Sequence, residues 1–182
     1  ARLSNFSRIK INSVILKNRN SDEVLNLAQF AIKNDFDISF IEEMPLGAIV
    51  EHDRAEAFYP SDQIIKDLKK TLTLEKSDAK TNGPSRYLRV KGTKTKIGFI
   101  SPHSNKFCSE CNRIRLTSEG QLLLCLGQEN SIDLKKLLRK KPTDKSIIRN
   151  AVINSIRNKP KEHFFELKEQ PVILRFMSHT GG

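Results

Sequence analysis

The stretch FCSECNRIRLTSEGQLLLCL, residues 107–126, contains all three cysteines of this 182-residue chain. Cys108 and Cys111 have the C-x2-C spacing, which brings two sulfurs to one metal centre across a tight turn. Residues 113–117 alternate between polar and apolar side chains, which predicts a strand, and residues 118–120 read Ser-Glu-Gly, which predicts a turn whose glycine has a positive φ. A hairpin of this shape would carry Cys125 back beside the other two cysteines. The sequence therefore predicts three thiolates that converge on one point.

A set of three cysteines is compatible with two kinds of metal site. A structural zinc ion normally needs four protein ligands, whereas an iron–sulfur cluster is held by thiolates. A cubane cluster with three protein thiolates keeps one iron open, and an open iron can bind a ligand. The alternative is three cysteines buried in a core, where cysteine behaves as a small hydrophobic residue. Because all three lie within eighteen residues and two have metal spacing, the pattern favours a metal site.

Arg113 and Arg115 lie two positions apart between these cysteines. Side chains two residues apart on a strand point to the same face, so the pair would form a fork for an anion beside the metal. Guanidinium groups bind phosphate in a bidentate manner and stay charged at physiological pH. The alternative is a solvated strand face in a lysine-rich protein, but the neighbouring cysteines favour an anion site.

The composition predicts a folded protein with an anionic partner. Apolar residues make up 37% of the chain, and the formal net charge is +11. Such a charge fits a nucleic acid, a nucleotide or a membrane surface. The basic residues within 135–141 have no interleaved aromatic residues, so we interpret them as a solvated helix surface. The sequence has no apolar run of about eighteen residues and no signal-peptide pattern, and its odd cysteine number favours a reducing, cytoplasmic compartment.

The first part of the chain predicts a strand, a helix and a second strand. Residues 10–16 and 36–41 are the predicted strands, and Asn20 with Glu23 predicts a capping box at the start of the helix. Parallel strands joined by a helix are the unit of an α/β sheet or barrel, but two strands cannot close a barrel. Residues 42–47 follow the second strand at its carboxyl end, which is the edge where α/β folds bind ligands.

The rest of the chain predicts a second group of elements after a boundary. A helix capped by Ser61 precedes a polar, turn-rich segment, residues 73–85, which we interpret as the domain boundary. Beyond it we expect hairpin strands at 87–91 and 96–100, helices beginning after Asp133 and within 142–144, and a final strand at 172–176.

Four stretches of the sequence are similar to one known family. They are residues 10–24 (KINSVILKNRNSDEV), 40–45 (FIEEMP), 98–126 with the cysteines, and 177–182 (MSHTGG). In this order they resemble the C-terminal part of the MoaA family, the GTP 3′,8-cyclases of molybdenum cofactor biosynthesis, which are radical S-adenosylmethionine enzymes. The similarity is collinear over nearly the whole chain, and the stretch with the cysteines is highly specific.

The resemblance implies an α/β plus α+β fold. Residues 1–80 would form the end of an incomplete TIM-type barrel with the helix that follows it. Residues 81–182 would form an α+β domain that binds an iron–sulfur cluster and the substrate and ends in a Gly-Gly tail. Unpaired strand edges of such a partial barrel favour self-association, which makes a homodimer one expectation.

The resemblance also implies a metal and substrate site. Cys108, Cys111 and Cys125 would ligate the C-terminal [4Fe–4S] cluster and leave one iron open, where the family binds the guanine ring of GTP. Arg113 and Arg115 match arginines that line the substrate pocket of the family, so we expect them to hold GTP.

Four further residues receive roles from the resemblance. Lys10 would contact the triphosphate, Met44 would lie next to the adenine of S-adenosylmethionine, and Gly181 and Gly182 would enter the active site in catalysis. The expected partners are GTP and, in the full-length enzyme, S-adenosylmethionine with a second [4Fe–4S] cluster. Neither a nucleic acid nor a membrane is expected as a partner.

Three departures from the family pattern qualify these expectations. The cysteine triad C-x3-C-x2-C, which binds the cluster that cleaves S-adenosylmethionine, is absent together with the first half of the barrel, since no cysteine precedes Cys108. Ser39 stands where the family usually has an arginine. Asn18 replaces a glycine of a turn, which is a mild change because asparagine tolerates left-handed geometry. We therefore expect no catalysis by this chain alone.

Two other functions stay open. In the first, the three cysteines with His103 hold zinc in a nucleic-acid-binding module, whose charge of +11 binds phosphates. Binding through many phosphates weakens steeply as salt rises, whereas one nucleotide at an open iron depends more on the cluster. In the second, the chain is a paralogue that binds the substrate without catalysis.

Overall fold

The chain divides into two units. A computed structural model describes residues 4–47, 51–79, 81, 83–163, 165, 173, 175 and 180. The first unit comprises Ala1–Met44 and Glu51–Phe107, and the second comprises Pro45–Val50 and Cys108–Gly182. Among the described helices, none combines the length and the apolar character that a membrane crossing requires.

A five-stranded mixed sheet forms the first unit. Its elements are β1 (Lys10–Ile15), α1 (Val24–Lys33), β2 (Asp37–Glu42), α2 (Arg54–Ala57), α3 (Ser61–Lys69), β3 (Leu74–Lys76), β4 (Arg86–Val90) and β5 (Lys96–Ile100). The strand order is β1-β2-β5-β4-β3, in which β1, β2 and β5 are parallel and the β5–β4 and β4–β3 pairs are antiparallel. The predicted strand–helix–strand opening and the later hairpin are therefore confirmed.

One face of this sheet carries the hydrophobic core. Phe40 of β2 and Phe99 of β5 are partners in register, so their side chains point to the same face. They pack with buried residues of the strands and of α1 and α3, namely Ile15, Val24, Ala28, Ala31, Ile38, Ile64, Leu68, Val90 and Ile97. Because side chains alternate along a strand, the intervening positions Ser39 and Gly98 belong to the opposite face.

The second unit contains a small antiparallel sheet and two helices. Its elements are β6 (Arg115–Leu116), β7 (Gln121–Leu123), β8 (Ser131–Asp133), α4 (Leu134–Lys140) and α5 (Lys145–Arg157). Asp133 caps α4 with its side chain, as the sequence predicts, and Asp144 caps α5, which begins one residue after the predicted start within 142–144. The turn between β6 and β7 has Gly120 at a φ of 83°, which confirms the predicted positive φ. The predicted strand at 113–117 is shorter than expected.

Two predicted helix caps are wrong. Asn20 accepts a hydrogen bond from the N–H of Leu16 (2.8 Å) and donates to the carbonyl oxygen of Val14 (2.9 Å), so it closes the turn after β1. No side-chain bond of Asn20 caps the following helical turn. Ser61 is the first residue of α3, and its N–H donates to the buried carboxylate of Glu42 (2.9 Å), which takes the place of a cap.

The division into units differs from the predicted boundary at 80/81. The segment 73–85 contains β3, which pairs with β4, and β4 pairs with β5, so the hairpin belongs to the first sheet. The mixed α/β character is confirmed, whereas the partial barrel stays a prediction. The tail glycines 181 and 182 lie outside the described residues. Most of the predicted strand 172–176 also lies outside them, but its residue Ile173 is described and forms a β-bridge with Leu46.

Candidate metal and substrate site

The structure brings the three cysteines of the second unit together. Cys108 begins a single helical turn, and the N–H of Cys111 donates to the carbonyl oxygen of Cys108 (3.1 Å). Cys125 follows strand β7, and all three thiols are free. Burial raises the pKa of the Cys125 thiol, and the nearby thiols of Cys108 and Cys111 raise this pKa further. The three sulfurs therefore lie close enough to interact electrostatically, as the predicted hairpin requires.

The three thiols are not placed to hold one metal ion. In the described part of the chain, no three His, Cys, Asp or Glu side chains meet in such an arrangement. A single ion needs all its ligands in one coordination sphere, whereas in a cubane cluster each thiolate binds a different iron. The [4Fe–4S] cluster therefore stays a prediction.

A buried histidine adjoins this group and was not predicted. Nδ1 of His163 lies 2.8 Å from Sγ of Cys108, and the imidazole ring packs against Phe165 with the centroids 4.0 Å apart. A Cβ added to Gly127 would lie 2.7 Å from the Phe165 ring and 2.9 Å from Cβ of His163, so glycine lets these side chains approach. The only sequence signal for His163 is its position beside two phenylalanines in a charged segment.

Lys159 holds the loop between the C-x2-C pair and the arginines. Its ammonium group donates to the carbonyl oxygens of Cys111 and Arg113, at 2.7 Å each, and lies 3.4 Å from Sγ of Cys111. Lys159 follows the end of α5, where its N–H donates to the carbonyl of Ile156 (3.1 Å). The helix therefore places a cation beside the Cys111 thiol, and this charge offsets a small part of the rise in the pKa of Cys125 that burial causes.

The two arginines lie next to each other at the start of β6. Burial lowers the pKa of the Arg115 guanidinium group, and the charge of Arg113 lowers it further. A mutual repulsion of this kind requires the two groups to be near each other, and an anion between them would relieve it. Arg115 also donates to the carbonyl oxygen of the buried Thr180 (3.4 Å), the residue that precedes the two tail glycines.

Lys10 and Met44 belong to the first unit. The ammonium group of Lys10 donates to the hydroxyl of Tyr87 (3.1 Å) and lies 5.5 Å from the centre of its ring. Met44 is half-buried and follows Glu43, whose carboxylate bonds His52 (2.9 Å). These contacts do not test the roles expected for Lys10 and Met44, so both roles stay predictions.

His103, the fourth zinc ligand of the alternative interpretation, also belongs to the first unit. Its Nε2 donates to the carbonyl oxygen of Glu43 (2.8 Å), and its ring meets the edge of Phe58. Burial lowers the pKa of His103, so the imidazole stays neutral at neutral pH.

Known proteins match this chain over its whole length. The family profile described as Molybdenum Cofactor Synthesis C matches residues 36–165. The GTP 3′,8-cyclase of Ectopseudomonas mendocina is 51% identical over 182 residues, and that of Pseudomonas entomophila is 50% identical over 183 residues. The GTP 3′,8-cyclase 2 of Pseudomonas aeruginosa is 48% identical over 182 residues. Each match covers 100% of this chain and 55% of the relative, so the chain spans about 55% of the length of these relatives. The chain therefore belongs to the Molybdenum Cofactor Synthesis C family, as the resemblance predicts, and corresponds to the C-terminal part of its GTP 3′,8-cyclase relatives.

Proposed function

We propose that this chain is the substrate-binding part of a GTP 3′,8-cyclase and that it binds GTP beside a [4Fe–4S] cluster. The supporting observation is the grouping of three free thiols with two adjacent guanidinium groups in residues 108–125. Thiolates are the ligands of iron–sulfur clusters, and guanidinium groups bind phosphate oxygens in pairs. The whole-length similarity to proteins named GTP 3′,8-cyclase supports GTP as the nucleotide.

Each group in the second unit has a distinct task in this proposal. Cys108, Cys111 and Cys125 would hold the cluster, which would supply an iron to bind the guanine ring. Arg113 and Arg115 neutralise the phosphate charge, and the repulsion between them falls when the anion binds. Gly181 and Gly182 would enter the active site in catalysis, as the family resemblance implies.

Two residues of the first unit also have roles in this proposal, which the family resemblance implies. Lys10 contacts the triphosphate as a point charge, and Met44 contacts the adenine of S-adenosylmethionine in the full-length enzyme. The sheet β1-β2-β5 is the end of the family's partial barrel. In the full-length enzyme these residues orient GTP for radical cyclisation to (8S)-3′,8-cyclo-7,8-dihydroguanosine 5′-triphosphate. Orientation of this kind is a large part of what a protein adds to cofactor chemistry.

Metal and sulfide analysis tests the cluster. The chain is purified without oxygen, its cluster is reconstituted, and iron, zinc and acid-labile sulfide are measured with an absorption spectrum. About four irons and four sulfides per chain support the proposal, since a cubane contains four of each. One zinc and no iron would instead support the zinc-stabilised module.

A GTP titration tests the substrate. The Cys111→Ser variant should lose both the cluster and most of the GTP affinity, while Ser109→Ala, an exposed neighbour, should keep both. GTP affinity that is unchanged in Cys111→Ser would separate nucleotide binding from the cluster and contradict the proposal. A steep loss of RNA binding with salt, without GTP binding, would favour the nucleic-acid alternative.

Catalysis is proposed to need the part of the relatives that this chain does not cover. The 182-residue chain with GTP, S-adenosylmethionine and a reductant should give no cyclised product. The same assay with a full-length relative is the positive control. Product formation by the 182-residue chain alone would overturn this part of the proposal.

A further inference from the structure

A polar cluster lies on the sheet face opposite α1 and α3. The hydroxyl oxygens of Ser39 and Ser85 are 2.9 Å apart, and the hydroxyl of Tyr87 lies 3.3 Å from that of Thr81. Ser39 is 0%, Ser85 8% and Tyr87 4% exposed, so three hydroxyl groups are buried within one unit. Buried polar groups require partners, and the members of this cluster provide them for one another.

The cluster leaves no room for a side chain at position 98. Gly98 of β5 is the register partner of Ser39 on β2 and of Tyr87 on β4, so these residues form a row across three strands. A Cβ added to Gly98 would overlap both serine hydroxyls and lie 2.9 Å from the Tyr87 ring. The hydroxyl groups of Ser39 and Ser85 therefore pack against a backbone position where only glycine fits.

Tyr87 connects this row to Lys10. The ammonium group donates to the Tyr87 hydroxyl at 3.1 Å, and it also lies over the ring. Burial by itself would raise the pKa of the Tyr87 phenol, but hydrogen bonds from Thr81, Lys10 and Ser85 outweigh it and lower the pKa. The buried phenol is fixed, whereas the lysine is an exposed side chain on a flexible stem.

We propose that Tyr87 is a positioning residue, which holds the Lys10 ammonium group in place for the triphosphate of the nucleotide. This inference rests on the proposed function, in which Lys10 binds that triphosphate. A lysine that is already held by its stem and by a hydrogen bond loses less conformational freedom when an anion binds.

The variant Tyr87→Phe isolates the hydrogen bond because phenylalanine keeps the aromatic ring under the ammonium group. Carbon-13 relaxation of the Lys10 ε-methylene group, measured without nucleotide, reports how strongly the side chain is held. We expect its order parameter to fall in Tyr87→Phe to the value of Lys17, an exposed lysine of the same unit. The other tyrosine, Tyr59, bonds Asp67, so Tyr59→Phe is the matched control and should leave Lys10 unchanged.

The nucleotide readout compares ligands that differ only in phosphate. A net hydrogen bond corresponds to about a fivefold change in affinity, so the Kd for GTP should rise about fivefold in Tyr87→Phe. The Kd for guanosine should stay the same, because the effect acts through the phosphate. Lys10→Met should raise the Kd for GTP at least as much, and adding Tyr87→Phe to it should have no further effect.

The outcomes separate this inference from the function on which it rests. An unchanged order parameter of Lys10 in Tyr87→Phe would overturn the positioning role whatever GTP does. A mobile Lys10 in that variant, combined with an unchanged Kd for GTP in Lys10→Met, would overturn the proposed contact with the triphosphate and the inference with it. An equal rise in the Kd for guanosine and GTP would show a general loss of structure and would also overturn the inference.

Discussion

Replacing Lys159 by methionine should loosen the loop that carries Cys111 and Arg113. Methionine keeps an apolar stem of similar length and removes the ammonium group. That group makes two hydrogen bonds of 2.7 Å to backbone carbonyl oxygens, which connect the end of α5 to the loop. The change therefore tests whether one side chain outside the cysteine stretch keeps the loop in place.

The size of the effect follows from these two bonds. A hydrogen bond to a charged group contributes about 1.5–3 kcal/mol, but Lys159 is only partly buried and water can replace part of each bond. We expect a net loss of about 2 kcal/mol in the free energy of local opening. Because each 1.4 kcal/mol is about tenfold, the loop should open about 30-fold more often.

Hydrogen exchange at the Cys111 amide measures this opening, since its N–H bonds the carbonyl of Cys108 at 3.1 Å. The apo protein is used, so the result does not depend on a cluster. Lys161→Met, an exposed lysine two residues away, is the control and should exchange like the wild type. Exchange at Cys111 that is less than about threefold faster in Lys159→Met would refute the reasoning, because it would correspond to well under 1 kcal/mol.

Three further predictions concern packing and ionisation. The two tyrosines should ionise in two separate steps in an ultraviolet titration. The hydrogen bonds to Tyr87 lower its pKa, whereas burial and Asp67 raise the pKa of Tyr59 to about 12. A single ionisation step would contradict this prediction. Since the folded pKa of Tyr59 lies above its unfolded value, its neutral form contributes stability below about pH 10 that is lost towards pH 12, and Tyr59→Phe should flatten this loss. Gly127→Ala should destabilise the second unit by about 1–3 kcal/mol in urea unfolding followed by circular dichroism, because the new methyl group meets the Phe165 ring at 2.7 Å; an unchanged midpoint would show that the ring moves freely. Ser39→Arg should cost about 3 kcal/mol or more in the same assay and Ser39→Ala about 1 kcal/mol, because only arginine brings a charge and excess volume into the row; equal effects would refute the crowding argument.

Local patterns predicted much of the fold. The apolar runs at β1 and β2 and the turn between β4 and β5 are signals that nearby residues create by themselves. Asp133 and Asp144 cap their helices because an aspartate needs only the backbone of the next few residues. Asn20 was misread because its side chain found partners in the preceding strand instead of the following helix. The three-residue strands β3 and β8 are too short to show a period.

The site divides in the same way between local and distant contacts. The C-x2-C spacing and the alternation of Arg113 and Arg115 are short-range patterns, and the structure brings the members of each pair near one another. Lys159 and His163 lie 48 and 55 residues from the cysteines that they contact. Only the folded chain brings such residues together, so no spacing in the sequence could indicate them.

The sequence separation between these contacting residues also determines the order in which they are synthesised. During synthesis, the segment with Cys108 and Cys111 leaves the ribosome before Lys159 and His163, which support it, have been made. Chains grow by about 5–20 residues per second, so several seconds pass between the synthesis of this loop and the synthesis of Lys159 and His163. In that interval the thiols lie on an unfolded segment, and the conformational entropy of that segment still opposes closure of the loop. The thiols of Cys108 and Cys111 therefore gain these two contacts only after translation has passed residue 163.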